Sequence, residues 1–187
     1  MILELIICFF SIFGAFGLSS MKKENRILGY FCFIISNVFI IYLSINTKIY
    51  PLTLQMILLS VFSVIGIYNL YYNKNYTINL YSIILYYTLL FSLLFFLIDY
   101  KEYFSHEVHK FEVMLSLIVL IGNSFIATTN ENLRIKGFYL FILADVGYLF
   151  LYTYYNFYVM ILTTLFFFIA SFKAVLFLRK TLVLQVN

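Results

Sequence analysis

Charged residues are scarce in this chain. Twelve Lys and Arg and eight Asp and Glu make up 11% of its 187 residues, whereas a soluble domain carries about 25%. Apolar residues account for 64% of the sequence, and the mean hydropathy is +1.00. So few charges cannot cover the surface of a globule of this size in water. The composition therefore excludes a soluble fold and predicts a protein whose solvent is lipid.

Alternating strands and cysteine patterns are also missing. A membrane β-barrel strand is about ten residues of alternating polarity, and a run such as 85–98 does not alternate. Cys8 and Cys32 form no disulfide framework and no metal-ligand spacing, and both lie inside apolar runs, where a thiol acts as a small apolar group. Helices remain as the way to satisfy the backbone hydrogen bonds in lipid.

Seven apolar runs have the length of about 20 residues that crosses a bilayer. The first run could be a signal peptide, but its first charged residue is Glu4, and the positive charges Lys22, Lys23 and Arg26 follow the run instead of preceding it. We therefore interpret it as a span. The predicted spans are 2–19, 27–46, 50–72, 77–98, 110–128, 135–154 and 157–178.

Lys and Arg are unevenly divided between the two sides that seven spans create. Nine of the twelve fall on the side that holds the connection after the first span and the C-terminus. Positively charged loops remain in the cytoplasm, so we expect an inner (plasma) membrane protein with the N-terminus outside and the C-terminus in the cytoplasm. This asymmetry also accounts for the net charge of +4 without a nucleic-acid partner.

The two halves of the chain are related by an internal repeat. An offset of 108 residues aligns 26–66 with 134–174 with ten identities, and the match extends to Gly14 and Gly122. If two three-helix units were fused directly, the second would have the opposite orientation in the membrane, because three spans are an odd number. The extra span at 77–98 gives both units the same orientation. We predict an all-α membrane protein of seven helices in a 3+1+3 arrangement of parallel triple-helix-bundle repeats. The segments are a first repeat at 1–72, a linker helix and outer loop at 73–108, a second repeat at 109–180 and a short cytoplasmic tail at 181–187.

A polar and aromatic pattern runs through 28–69, and part of it recurs in the second half. Its residues are Ser36, Asn37, Val38 and Tyr42, then Ile49, Tyr50 and Gln55, then Ile67, Tyr68 and Asn69, with Asp145, Val146 and Tyr158 as the later counterparts. The pattern resembles one triple-helix bundle of the SWEET, SemiSWEET and PnuC superfamily, and looks closest to the PnuC-type vitamin transporters. The resemblance implies a facilitator for a vitamin precursor, nucleoside or sugar that works by alternating access around a midplane site.

Asp145 is the residue that costs most to place in lipid. It lies near the middle of the sixth predicted span, and the repeat places it opposite Asn37 in the second. An ionisable group at such a depth costs about 2.5–3.5 kcal/mol on insertion scales and commonly marks a functional site. Three interpretations remain open. Asp145 serves a substrate or a proton, it forms a structural ion pair with Lys173 in the last span, or it is protonated and has no role.

Further polar and aromatic groups complete the predicted substrate site. Gln55 and Thr163 are repeat equivalents, and tyrosines could stack on a ligand, although eighteen tyrosines also fit interfacial belts. Other polar residues in the spans are expected to join helices by hydrogen bonds; they are Ser60, Ser63, Asn123 and Ser171. The predicted substrate-binding residues are Asn37, Tyr42, Gln55, Asp145, Tyr148 and Thr163.

Catalytic and metal-binding patterns are missing. His106 and His109 are three residues apart, whereas a helical metal pair needs a spacing of four, and we interpret them as part of a solvated loop. The sequence also has no Ser-His-Asp set, Gly-rich phosphate loop or paired catalytic carboxylates. We therefore expect no enzyme, no cofactor and no metal site.

A competing class of function is an interaction protein. The absence of Trp and the 23 Phe and 18 Tyr residues also fit a non-transporting membrane subunit or scaffold of a larger complex. The expected partners are the lipid bilayer and a small-molecule substrate, and a homo-oligomer is compatible with either class.

Overall fold

Six α-helices make up the part of the chain described by a computed structural model, which covers residues 2–46, 50–74, 107–154 and 158–186. Four of the six helices contain segments long and apolar enough to cross a membrane, at 23–46, 52–72, 131–154 and 158–180. The described part of the chain is therefore all-α, and its apolar helices are those of an integral membrane protein. The helices are α1 (Ile2–Leu18), α2 (Lys23–Asn46), α3 (Tyr50–Tyr72), α4 (Glu107–Ile126), α5 (Glu131–Tyr154) and α6 (Tyr158–Val186).

The helices extend beyond several of the predicted apolar runs. The structure begins α2 and α5 four residues earlier than the sequence predicted, and α6 continues to Val186. The reason is local, because Asn130 caps α5 by accepting hydrogen bonds from the backbone N–H groups of Asn132 at 3.0 Å and Leu133 at 3.3 Å. A hydropathy window detects the apolar part of a helix and misses such a polar first turn. The predicted span 77–98 and residues 99–106 of the outer loop lie outside the described residues. Glu107 and His109, which were predicted to lie in that loop, lie instead in the first turn of α4.

The six helices form two units of three. Helix α2 packs between α1 and α3, and α5 packs between α4 and α6. The units meet through α1 against α6 and through α3 against α4. Each interface joins the first helix of one unit to the third helix of the other, so the two interfaces are equivalent under exchange of the units.

Glycine contacts recur at the interval of 108 residues. A Cβ built on Gly14 would lie 2.9 Å from the ring of Phe33, and one built on Gly122 would lie 2.9 Å from the ring of Phe141. Such small residues allow helices to approach closely in a membrane. The first two helices of each unit therefore pack through the same contact.

The end of the bundle formed by residues 18–26 and 126–134, here the basic end, holds the two units together. Arg26 Nη2 donates to the carbonyl oxygen of Thr128 at 3.3 Å, and Arg134 Nη2 donates to that of Leu18 at 3.3 Å. Each arginine thus crosses from its own unit to the end of the first helix of the other. The largest apolar cluster lies around them and includes Leu18, Tyr30, Leu70, Ile126, Ile135, Phe138, Ala174, Val175 and Leu178.

Candidate functional site

A cavity of ≈ 140 Å³ lies between the two units. All six helices contribute to its wall, and most of the wall is apolar, with a limited set of hydroxyl, amide and carboxyl groups. Known small-molecule sites have this composition, since apolar surface contributes affinity and a few polar groups set orientation. The cavity is the candidate functional site.

Asn37 and Asp145 both line this cavity. Each occupies the fifteenth position of a 24-residue helix, so both lie near the middle of their spans. Asn37 is 3% exposed, and its Nδ2 donates to Ser60 Oγ at 3.2 Å. Asp145 is 6% exposed, and its buried Oδ2 accepts no hydrogen bond. The cavity wall thus contains one satisfied amide and one unsatisfied carboxylate at equivalent depth.

The ion pair between Asp145 and Lys173 does not form. Lys173 is exposed, and its Nζ lies 5.8 Å from the ring centre of Phe16 and 5.7 Å from that of Phe177. The rotation of α6 causes this, because Ser171 faces the cavity while Lys173, two residues later, faces outward. Of the three interpretations of Asp145, the structural pair with Lys173 is therefore wrong.

Gln55 and Tyr148 meet across the two units in a hydrogen-bonded group. Ser116 Oγ donates to Gln55 Oε1 at 2.7 Å and lies 3.3 Å from the hydroxyl of Tyr148, while Gln55 Nε2 donates to the same hydroxyl at 3.4 Å. The ring of Tyr148 also stacks on that of Tyr152, with centres 5.4 Å apart and planes at 17°. Both tyrosines and Gln55 line the cavity, so this group builds one wall with aromatic faces and fixed polar atoms.

Two of the six predicted site residues lie elsewhere. Tyr42 is 62% exposed and does not line the cavity, because it is two residues beyond Ile40, which does. Thr163 donates its hydroxyl to Val159 O at 2.8 Å and to Cys8 Sγ at 3.1 Å, and thus joins α6 to α1. The structure brings the other four together, namely Asn37, Gln55, Asp145 and Tyr148.

Most of the cavity wall consists of residues related by the interval of 108. These pairs are Ser11 and Val119, Ala15 and Asn123, Phe33 and Phe141, Asn37 and Asp145, Ile40 and Tyr148, Met56 and Thr164, Leu59 and Phe167, and Ser63 and Ser171. Three residues expected only to join helices, Ser63, Asn123 and Ser171, are among them. The cavity therefore lies where equivalent surfaces of the two units face each other.

Sequence reasoning missed Ser116, which is 2% exposed and ties Gln55 to Tyr148. A signal was present in the sequence, because Ser116 and Asn123 are seven residues apart and so lie on one face of α4. A polar stripe on an otherwise apolar helix indicates a face turned toward protein or a cavity.

The described residues contain no group of three or more His, Cys, Asp and Glu side chains that could hold a metal ion, and His106 lies outside them. The chemistry that the cavity can perform is recognition, through one carboxylate, three amides, several hydroxyls and aromatic faces. Comparisons of this chain with family models, with curated proteins and with solved structures find no match.

Proposed function

We propose that this protein is a facilitative transporter for a small polar molecule, with seven transmembrane helices arranged as two parallel triple-helix repeats and a linker helix. The proposal takes the N-terminus to be outside and the C-terminus to be in the cytoplasm. The contacts that recur at 108 residues support equivalent repeats, since Arg26 and Arg134 donate across the same pair of surfaces.

The observation that carries the proposal is the cavity at mid-depth between the two units. A membrane scaffold gains stability by packing such a space with side chains, whereas this one is lined by Asn37, Gln55 and the unpaired carboxylate of Asp145. Buried polar groups that stay unpaired are costly. A ligand that supplies the missing hydrogen bonds offsets that cost.

Alternating access requires that the cavity open to one side at a time. The two arginine hydrogen bonds join the units at the basic end, where Tyr30 also donates to Ile126 O at 2.9 Å and Asn69 to Ala127 O at 2.9 Å. These bonds run between the units, so rocking of one unit against the other would break them together. We infer that they close the basic end in this conformation.

Uptake into liposomes tests transport directly. Purified protein should take up one member of a panel of radiolabelled vitamins, nucleosides and sugars with saturation, and Asn37→Leu should abolish uptake by removing an amide from the cavity. Val38→Leu is the matched control, because Val38 is the next residue and its side chain is 57% exposed. A folded protein that binds and transports nothing, and that co-purifies with other subunits at fixed stoichiometry, would support the membrane-subunit function instead.

Reporter fusions test the seven-span topology independently of any substrate. We expect fusions after Lys74 and after Lys180 to report a cytoplasmic location and a fusion near Lys101 to report an outside location, because nine of the twelve Lys and Arg lie on the cytoplasmic side of the proposed topology. Fusions after Lys74 and after Lys180 on opposite sides would contradict parallel repeats.

A further inference from the structure

The carboxylate of Asp145 has no positively charged partner within the described part of the chain. Its side chain is 6% exposed, faces the cavity and leaves Oδ2 without a hydrogen bond. Charges inside membrane spans are normally paired with each other or with backbone groups. An uncompensated carboxylate at a cavity wall is thus a place where a ligand could supply the opposite charge.

The buried or nearby cations of the described spans make contacts elsewhere. Arg26 and Arg134 donate to the carbonyl groups of Thr128 and Leu18 at the basic end, and Lys173 lies over Phe16 on the outer side. None of these three cations lines the cavity. None of these three cations is therefore placed to pair with Asp145 in this structure.

The remaining wall favours an aromatic or cyclic ligand of limited size. Three ring pairs line the cavity. They are the stacked Tyr148 and Tyr152, the edge-on Phe33 and Phe167 with centres 5.9 Å apart, and the edge-on Phe138 and Phe141 with centres 6.5 Å apart. Aromatic faces attract cations and stack on rings. A volume of ≈ 140 Å³ is close to that of an engineered protein cavity of about 150 Å³ that binds benzene. One six-membered ring fits, and a two-ring ligand would need the units to separate.

We propose that the cavity binds a small organic monocation that carries one ring, with its positive charge paired to Asp145 and its ring against the tyrosine and phenylalanine faces. This inference names the substrate class of the proposed transporter and rests on that function for its biological meaning. The amides of Asn37 and Gln55 would orient polar groups of the ligand.

Binding of two matched probes to the full-length protein in detergent tests the charge requirement. Benzylamine is protonated at neutral pH, and benzyl alcohol has the same ring and chain without the charge. By isothermal titration we expect benzylamine to bind about tenfold more tightly or better, because a charge-assisted hydrogen bond to Asp145 is stronger than a neutral one. This arm uses the unaltered protein and does not depend on the folding of a variant.

The variant Asp145→Asn tests whether Asp145 is the residue that makes benzylamine bind more tightly than benzyl alcohol. It should weaken benzylamine binding by about tenfold and leave benzyl alcohol binding within about twofold, since Asn keeps the size of Asp and one acceptor oxygen but carries no charge. The control Val38→Leu should bind both probes like the unaltered protein. Equal affinity for the two probes, absence of binding to folded protein, or unchanged benzylamine binding by Asp145→Asn would each overturn the inference.

Uptake measurements on the same preparations separate this inference from the proposed function. Binding of benzylamine without uptake of any compound would leave the cation site standing and contradict transport. Uptake of a neutral sugar by a protein that does not distinguish the two probes would support transport and overturn the cation site.

Discussion

The basic end and the cavity use the same internal repeat in different ways. At the basic end two equivalent pairs are identical and make the same contacts, namely Arg26 with Arg134 and Gly29 with Gly137. Around the cavity the equivalent residues often differ, and Asn37 faces Asp145 in the alignment. Helices in backbone contact allow few alternatives, whereas a cavity wall can exchange side chains without moving the backbone. The repeat therefore sets a symmetric frame, and its divergent positions make the site asymmetric.

The largest effect is expected from filling the glycine contacts near the basic end. A Cβ on Gly29 would lie 2.8 Å from Leu18 N, and one on Gly137 would lie 2.6 Å from Gly122 O. Because these neighbours are backbone atoms, Gly29→Leu and Gly137→Leu should each cost about 3 kcal/mol or more of folding free energy. Thermal melting in detergent measures the loss.

The matched controls for the glycine variants are Val38→Leu and Val146→Leu. These positions are also repeat equivalents on α2 and α5, but their side chains are 57% and 41% exposed. Both controls should melt close to the unaltered protein. Glycine variants that melt like their controls would show that the close packing at the basic end does not hold the helices together.

Substitution of the two arginines at the basic end should cause the next largest loss of folding free energy. Arg26→Gln and Arg134→Gln each remove a charge-assisted hydrogen bond between the units, so each should cost about 1.5–3 kcal/mol. The two losses should be similar, because both contacts are 3.3 Å long and both residues are buried.

A double-mutant cycle sharpens the arginine prediction. The two guanidinium groups are close enough to interact electrostatically, and they repel each other. Each single variant already removes the whole repulsion, so the double variant should lose more stability in the melting assay than the sum of the single variants. Losses of stability that add, or that differ strongly between Arg26 and Arg134, would contradict two equivalent and interacting arginine contacts between the units.

Substitution of Asp145 should raise the stability of the protein, whereas the substitutions above lower it. Asp145→Asn removes a buried carboxyl group whose Oδ2 accepts no hydrogen bond, and it should raise the melting temperature of the ligand-free protein at high pH, where that group is ionised. The reverse substitution at the equivalent position of the other unit, Asn37→Asp, adds a second carboxyl group to the cavity and should lower the melting temperature. A decrease in melting temperature for Asp145→Asn would mean that the carboxylate has a stabilising partner.

The smallest effect is expected at Lys173, whose ammonium group lies over two phenylalanine rings at the surface of the bundle. Lys173→Met keeps the apolar stem and removes only this contact, so it should cost about 0.5–1 kcal/mol. Melting of Lys173→Met beside Asp145→Asn is the comparison to make. A loss as large as that of the arginine variants would indicate a buried partner for Lys173.

Much of the fold could be predicted because its signals are local. Apolar run lengths located the middles of the described helices, and α3 begins and ends within the predicted span 50–72. The polar first turns of α2 and α5 were missed, since caps and first-turn acids such as Glu24 and Glu131 carry no apolar signal.

The candidate site could be predicted only in part. Depth along a span follows from counting residues, and Asn37 and Asp145, which lie at the same depth, both line the cavity. The direction in which a side chain points does not follow from its depth, because successive residues are rotated by about 100° around the helix axis. Thr163 and Thr164 illustrate this, since the first bonds to Cys8 and the second lines the cavity.

The sequence by itself determined that lipid is the solvent and that the described spans are helices, because scarce charge and long apolar runs allow no other packing of the backbone. It also contained the interval of 108 that relates the two halves. Only the tertiary structure decided that Lys173 faces away from Asp145 and that Ser116 joins Gln55 to Tyr148. Those contacts depend on how six helices are rotated against one another, and that rotation is set by the packing of all their faces at once.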